Sequence, residues 1–219
     1  MHPSGPFWRG RSRRVTSAAA AVFLLSAAPS TARGRFSVEA FLGAARSLGT
    51  ALSIHQAGEP DIQLSSTYET RSFDLPLYYS LRFGLRREGG AWEAQFTHHK
   101  VYLVGATDVV ERFEITHGFN LVTLNRSWTS LPITLRVGVG LVVAHPESVV
   151  RGASHDRGYH LTGPALLASA GKSFDLPSRW FVTLEGELTV ARAKVPVAQG
   201  DASAPNVALH GLFGLGFRF

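Results

Sequence analysis

The segment Asn206–Phe219 reads NVALHGLFGLGFRF. From Val207 onward every second residue is Val, Leu, Gly, Phe, Leu, Phe and Phe. The positions between them are mostly small or polar: Ala208, His210, Gly214, Gly216 and Arg218. Period-two alternation makes this a strand with one apolar face. In water such an edge invites aggregation, so a core or a membrane must cover that face.

The same alternation recurs in seven earlier segments: 36–44, 77–87, 91–103, 109–125, 133–145, 159–172 and 180–192. In the second, Leu77, Tyr79, Leu81, Phe83 and Leu85 oppose Tyr78, Ser80, Arg82, Gly84 and Arg86. In the fourth, Phe113, Ile115, Phe119 and Leu121 oppose Glu114, Thr116, Gly118 and Asn120. A tilted strand crosses a bilayer in about 9–11 residues, against about five or six in soluble sheets. Segments of this length favour a membrane barrel.

Composition agrees. Of 219 residues, 45% are hydrophobic and 17% charged, below the roughly 25% charge of soluble domains. With no cysteine, the chain has no disulfide framework, thiolate metal site or Cys nucleophile. The net charge of +6 arises largely from Arg9, Arg11, Arg13 and Arg14, which no acid accompanies in residues 1–32. Without that stretch 18 basic side chains face 16 acidic ones, which is no nucleic-acid footprint. Residues 1–32 carry a basic start, the apolar run VTSAAAAVFLLSAAP and small residues at Ser30 and Ala32. This predicts a cleavable export signal over 1–32 and a mature domain over 33–219. Beyond the signal no apolar run is long enough for a spanning helix, so a closed barrel is the remaining way across a bilayer.

Connections alternate long and short. Arg46–Pro76 and the stretch around 146–158 are long, whereas Glu88–Gly90 and the stretches 126–132 and 173–179 are short. The final link, 193–205, reads as another long loop. With its alternating strands, its signal and the closing FGLGFRF, the chain resembles the small eight-stranded outer-membrane β-barrels of Gram-negative bacteria. That resemblance implies an all-β, antiparallel, up-and-down transmembrane barrel in the outer membrane. It further implies that Phe213, Leu215, Phe217 and Phe219 form the signal read by the barrel-insertion machinery. A soluble carrier barrel of the lipocalin type would show the same alternation with its faces reversed.

The polar phase predicts an interior network of Glu39, Arg82, Glu93, Glu114, Arg136, Glu185, Glu187, His210 and Arg218. Eight strands enclose room for side chains only, so a plugged lumen follows. Trp92, Trp128, Trp180, Tyr79 and Phe219 suit a periplasmic aromatic girdle. Glycines 138, 140, 214 and 216 fall on the inward phase.

Histidines mark the candidate chemistry. His98 and His99 lie towards the outer end of the third strand and His117 on its neighbour; a bulge near His98–His99 leaves open which one faces inward. Paired with Ser65, Ser66 or Ser72, these catalytic candidates would suit a hydrolase acting on lipid A or phospholipid acyl groups. His145, His155, Asp156 and His160 crowd one loop without a metal-binding spacing, so no metal and no cofactor is expected. The favoured function is structural or surface-interactive, as a monomer meeting outer-membrane lipid and lipopolysaccharide through Arg46, Arg71, Lys100 and Arg151. The alternatives are the acyl hydrolase and a narrow, laterally opening channel for small apolar molecules.

Overall fold

The computed structural model describes residues 35–129 and 132–219, and these form twelve strands. The expected signal at 1–32 lies outside them. β1 (Phe36–Leu48) is followed by a hairpin of β2 (Thr50–Gln56) and β3 (Ile62–Glu69). β4 (Tyr79–Arg87), β5 (Gly90–Val104), β6 (Val110–Trp128) and β7 (Thr134–Ala144) come next. A second hairpin, β8 (Glu147–Val150) and β9 (Ala153–Asp156), precedes β10 (His160–Asp175), β11 (Trp180–Val197) and β12 (Gly200–Arg218).

Eight long strands make the wall. Antiparallel neighbours run β1, β4, β5, β6, β7, β10, β11, β12, and β12 pairs back onto β1 from Val207↔Leu48 to Arg218↔Ser37. Closure leaves no free edge in the membrane zone, where an unpaired backbone group would cost several kcal/mol.

The outward face of that zone is apolar. Leu42, Phe83, Leu124, Val139, Leu184 and Phe213 are all exposed, each on a different strand. On β11 the apolar outward face runs from Trp180 to Val190, about 25 Å once a strand rise of about 3.3 Å and a barrel tilt of about 40° are applied. Trp92, Trp128 and Trp180 mark the end at the short turns. Tyr79 does not join them. It pairs with His98 at the opposite end, because β4 starts there after the long first connection.

Above the belt the faces exchange chemistry while the alternation continues unbroken. On β11, Leu188 and Val190 point out; beyond them Ala191, Ala193, Val195 and Val197 point in, and Arg192 and Lys194 point out. Outside the membrane the wall meets water, so apolar side chains turn to the lumen. Leu52, Ile54, Val101, Val110, Phe113, Ile115 and Phe119 join them in one buried core. The apolar phase of β6 expected to meet lipid is therefore reversed: Phe113, Ile115, Phe119 and Leu121 face inward, and Val122 and Leu124, from the opposite phase, face lipid.

The long connections are strand extensions of the wall. β2 pairs with β12, and β3 with β5, so this hairpin replaces β1 and β4 in the upper wall. β8 pairs with the upper part of β6 and then with β9. The expected last loop is a hairpin tip: Val197 pairs with Gly200, and Gln199 adopts a positive φ of 60°.

Candidate functional site

The membrane-level lumen is crossed by ions. Arg82 on β4 donates from Nη2 to Glu185 Oε1 (2.7 Å) and from Nη1 to Glu185 Oε2 (3.0 Å) on β11. Arg136 on β7 donates to Glu93 Oε2 (2.8 Å) and to Glu185 Oε2 (2.9 Å). Glu39 lies 3.8 Å from Arg82 and accepts from Thr183 (3.0 Å). Gln95 links the cluster onward: its Oε1 accepts from Arg82 Nε (3.0 Å) and its Nε2 donates to Glu187 (2.8 Å). Inward glycines make room. A Cβ on Gly138 would sit 1.7 Å from Asn125 Oδ1, and one on Gly214 would sit 2.4 Å from the Phe41 ring, on which Arg82 rests.

One level higher, the lumen changes from charged to aromatic. His210 contacts the Tyr78 hydroxyl through Nδ1 (2.9 Å) and the Thr189 hydroxyl through Nε2 (2.8 Å). The His99 ring lies 5.4 Å from the His210 ring and 5.9 Å from Phe119, edge-on to both. Its Nε2 is 3.5 Å from Ser47 Oγ, which accepts a hydrogen bond from Asn206 Nδ2 (2.9 Å).

Seven of the nine expected network residues meet in the lumen: Glu39, Arg82, Glu93, Arg136, Glu185, Glu187 and His210. Glu114 does not. It lies on the outer face of upper β6, 3.6 Å from Arg112, in the zone where the polar phase faces water. Partial burial pushes its carboxyl above the ordinary range. Arg218 sits at the rim by the short turns, where it donates to Asp175 and stacks on Phe181 (4.1 Å).

The histidine candidates part company. His99 faces inward; His98 faces outward, stacked on Tyr79 (5.2 Å) and bonded to Asn120 Oδ1 (2.9 Å). The irregularity lies on β6, where Ile115 pairs with Val101 and Phe119 with His99. His117 stands at the outer rim, bonded to Glu147 (2.7 Å) and 4.9 Å from the His145 ring. His145 in turn bonds Asp156 (2.8 Å), which holds that carboxyl below its ordinary value. Among the described residues, no group of three His, Asp or Glu side chains is arranged to hold a metal ion. Of the serines, Ser65 is exposed and Ser72 accepts from the Ala45 amide (3.0 Å). Ser47 gives no signal in the sequence, since it lies 52 residues from His99 and the two meet only where β4 ends between their strands.

No protein-family model and no curated relative matches the chain. Solved structures do. AlkL, determined by solid-state NMR in DMPC bilayers, is 13% identical over 91% of this chain and 97% of its own, with a TM-score of 0.51. Neisserial surface protein A is 11% identical over 85% and 99%, with a TM-score of 0.44. Ail, the attachment invasion locus protein of Yersinia pestis, is 13% identical over 85% and 99%, with a TM-score of 0.43. The likeness is one of fold. The chain is an eight-stranded transmembrane β-barrel of the outer-membrane type.

Proposed function

We propose that the chain serves in the outer membrane of a Gram-negative bacterium as a monomeric scaffold with a plugged lumen and a surface for envelope partners. Residues 1–32 direct its export in this reading. The observation that carries it is the Arg82–Glu185–Arg136–Glu93 lattice, which ties β4, β5, β7 and β11 together through the barrel axis. Diffusion would require breaking buried, charge-assisted bonds. The apolar upper lumen adds a second filled layer, with Leu52, Val110 and Ile115 at 0% exposure.

Lipopolysaccharide is the envelope partner this reading favours. Of the four basic residues expected to meet it, two are tied into the protein. Lys100 donates to Asp74 O (2.7 Å), and Arg151 bonds Gln56 and Pro60 O. Arg46 and Arg71 are exposed at the outer edge of the apolar belt, where phosphates lie, although Arg71 also bonds Glu69 (3.0 Å). Phe213 and Leu215 point to lipid on the closing strand, as an insertion signal requires.

Planar-bilayer recording of the refolded protein tests the scaffold reading. Silence is expected from protein that migrates as a heat-modifiable band; steady, large conductance would overturn the filled lumen.

A further inference from the structure

The wall is hydrogen-bonded throughout the belt but parts just above it. β1 pairs with β4 only as far as Leu42↔Tyr79, and β3 pairs with β5 only from Thr67↔Val104 to Glu69↔Tyr102. Between upper β1 and the end of β3 no ladder forms. Side chains do the stitching: Thr70 Oγ1 donates to Ala45 O, and Ala45 N donates to Ser72 Oγ. Beside this seam lies a cleft of 470 Å³, lined among others by Arg46, Ser47, Leu48, Tyr68 and Arg71. Arg46 pairs in register with Leu209, at the last apolar turn of the belt, so the cleft lies where acyl chains meet headgroups.

Ser47 and Tyr68 line the cleft, and behind Ser47 the buried His99 and Asn206 meet it from the lumen. Asn206 donates to Ser47 Oγ, and Ser47 Oγ lies 3.5 Å from His99 Nε2. The 3.5 Å separation is long for a hydrogen bond and within the looser spacing of nucleophile and base before substrate binds. An Nε2 that accepts requires the proton on Nδ1, and Nδ1 has no partner. The Tyr68 hydroxyl, 4% exposed as a residue, also lacks a partner. A buried polar group without a protein partner calls for an explanation, and a ligand reaching it is one.

We propose that this cleft hydrolyses an acyl ester of a phosphorylated membrane lipid, with Ser47 as nucleophile, His99 as base and Tyr68 as oxyanion donor. The site rests on the membrane placement above and adds an activity to the scaffold. Ser47 Oγ bonds to the ester carbonyl carbon as its proton passes to His99 Nε2. The bond from that carbon to the lipid alcohol oxygen breaks, and the alcohol leaves with the proton from Nε2. Water then attacks the acyl-serine with the same proton relay, releasing a carboxylic acid and restoring Ser47. Asn206 is a positioning residue that aims the serine. Arg46, which has no ion-pair partner among the described residues, and Arg71, bonded to Glu69 (3.0 Å), stand at the mouth for the lipid phosphate.

The refolded protein is tested in vesicles of phosphatidylglycerol and, separately, of lipid A, with fatty-acid release and fluorophosphonate labelling as readouts. Labelling at Ser47 and release from at least one lipid are expected, and the lipid cleaved identifies the source. Ser47→Ala abolishes both signals; His99→Gln lowers the rate at least about 100-fold. Asn206→Leu lowers kcat with little change in KM, and Arg46→Ala raises KM with little change in kcat. Ser65→Ala leaves the rate unchanged. Heat-modifiable migration is scored for each variant. A folded wild-type barrel that leaves both lipids intact and Ser47 unlabelled overturns the site and spares the scaffold. Release that survives Ser47→Ala overturns it equally.

Discussion

Arg82 on β4 and Glu185 on β11 form a two-pronged ion pair across the lumen, at 2.7 and 3.0 Å, with both side chains fully buried. Arg82 also faces Glu39 and Glu93. Arg82→Leu therefore strands several carboxylates in a dry lumen. Stability is expected to fall by about 3–5 kcal/mol, read from the urea midpoint of the folded gel band. Replacing Arg82 and Glu185 together by methionine should cost less than the two single losses combined, since the pair shares its partners.

Gly214 yields its inward position to Phe41. Gly214→Ala puts a methyl 2.4 Å from that ring, against which Arg82 also rests (4.7 Å). A destabilisation of about 1–3 kcal/mol follows from overpacking, and Phe41→Leu in the same chain should recover part of it. Unchanged urea midpoints for both variants would contradict the packing.

Val139 is 60% exposed on β7, in the middle of the lipid-facing belt. Val139→Arg should cost about 2–4 kcal/mol in vesicles, the penalty for a cation near the bilayer midplane. The same change at Lys194, already charged and above the belt, should be near neutral as Lys194→Arg. Equal costs at the two sites would place the membrane elsewhere.

The Asp156 carboxyl is depressed below its ordinary 3.8, chiefly by its hydrogen bond to His145. A depressed carboxyl contributes stability above its unfolded value and loses it as pH falls through its folded value. Amide protection of the β8–β9 hairpin should therefore be steady near neutrality and decline below about pH 4. Asp156→Asn should flatten that decline, and hydrogen exchange across the acid range measures it.

Much of the wall was legible. The alternation in 36–44, 77–87, 91–103 and 133–145 corresponds to β1, β4, β5 and β7 within a few residues, and the closing segment to the lower part of β12. Charged positions such as Glu39, Arg82 and Glu185 stand on the lumen side because a lipid-facing side chain at those heights has no polar partner. The phase of β6 misled because its apolar positions serve two solvents. Val122 and Leu124 meet hydrocarbon, while Phe113 and Phe119 hide from water inside the extension. On β11 the exchange is visible in the letters, where apolar residues move from even positions up to Val190 to odd positions from Ala191.

Sequence alone determined the eight long strands of the wall and most of the ion network, because period-two alternation and charge placement are local to each strand, while the two extra hairpins read as loops. Only tertiary structure decided that Ser47, His99 and Asn206 meet. They sit on β1, β5 and β12, and their shared height depends on the stagger with which the strands close. The wall cleft depends likewise on where β1 parts from β4 and β3 takes over, a handover between hydrogen-bond ladders that no single strand encodes.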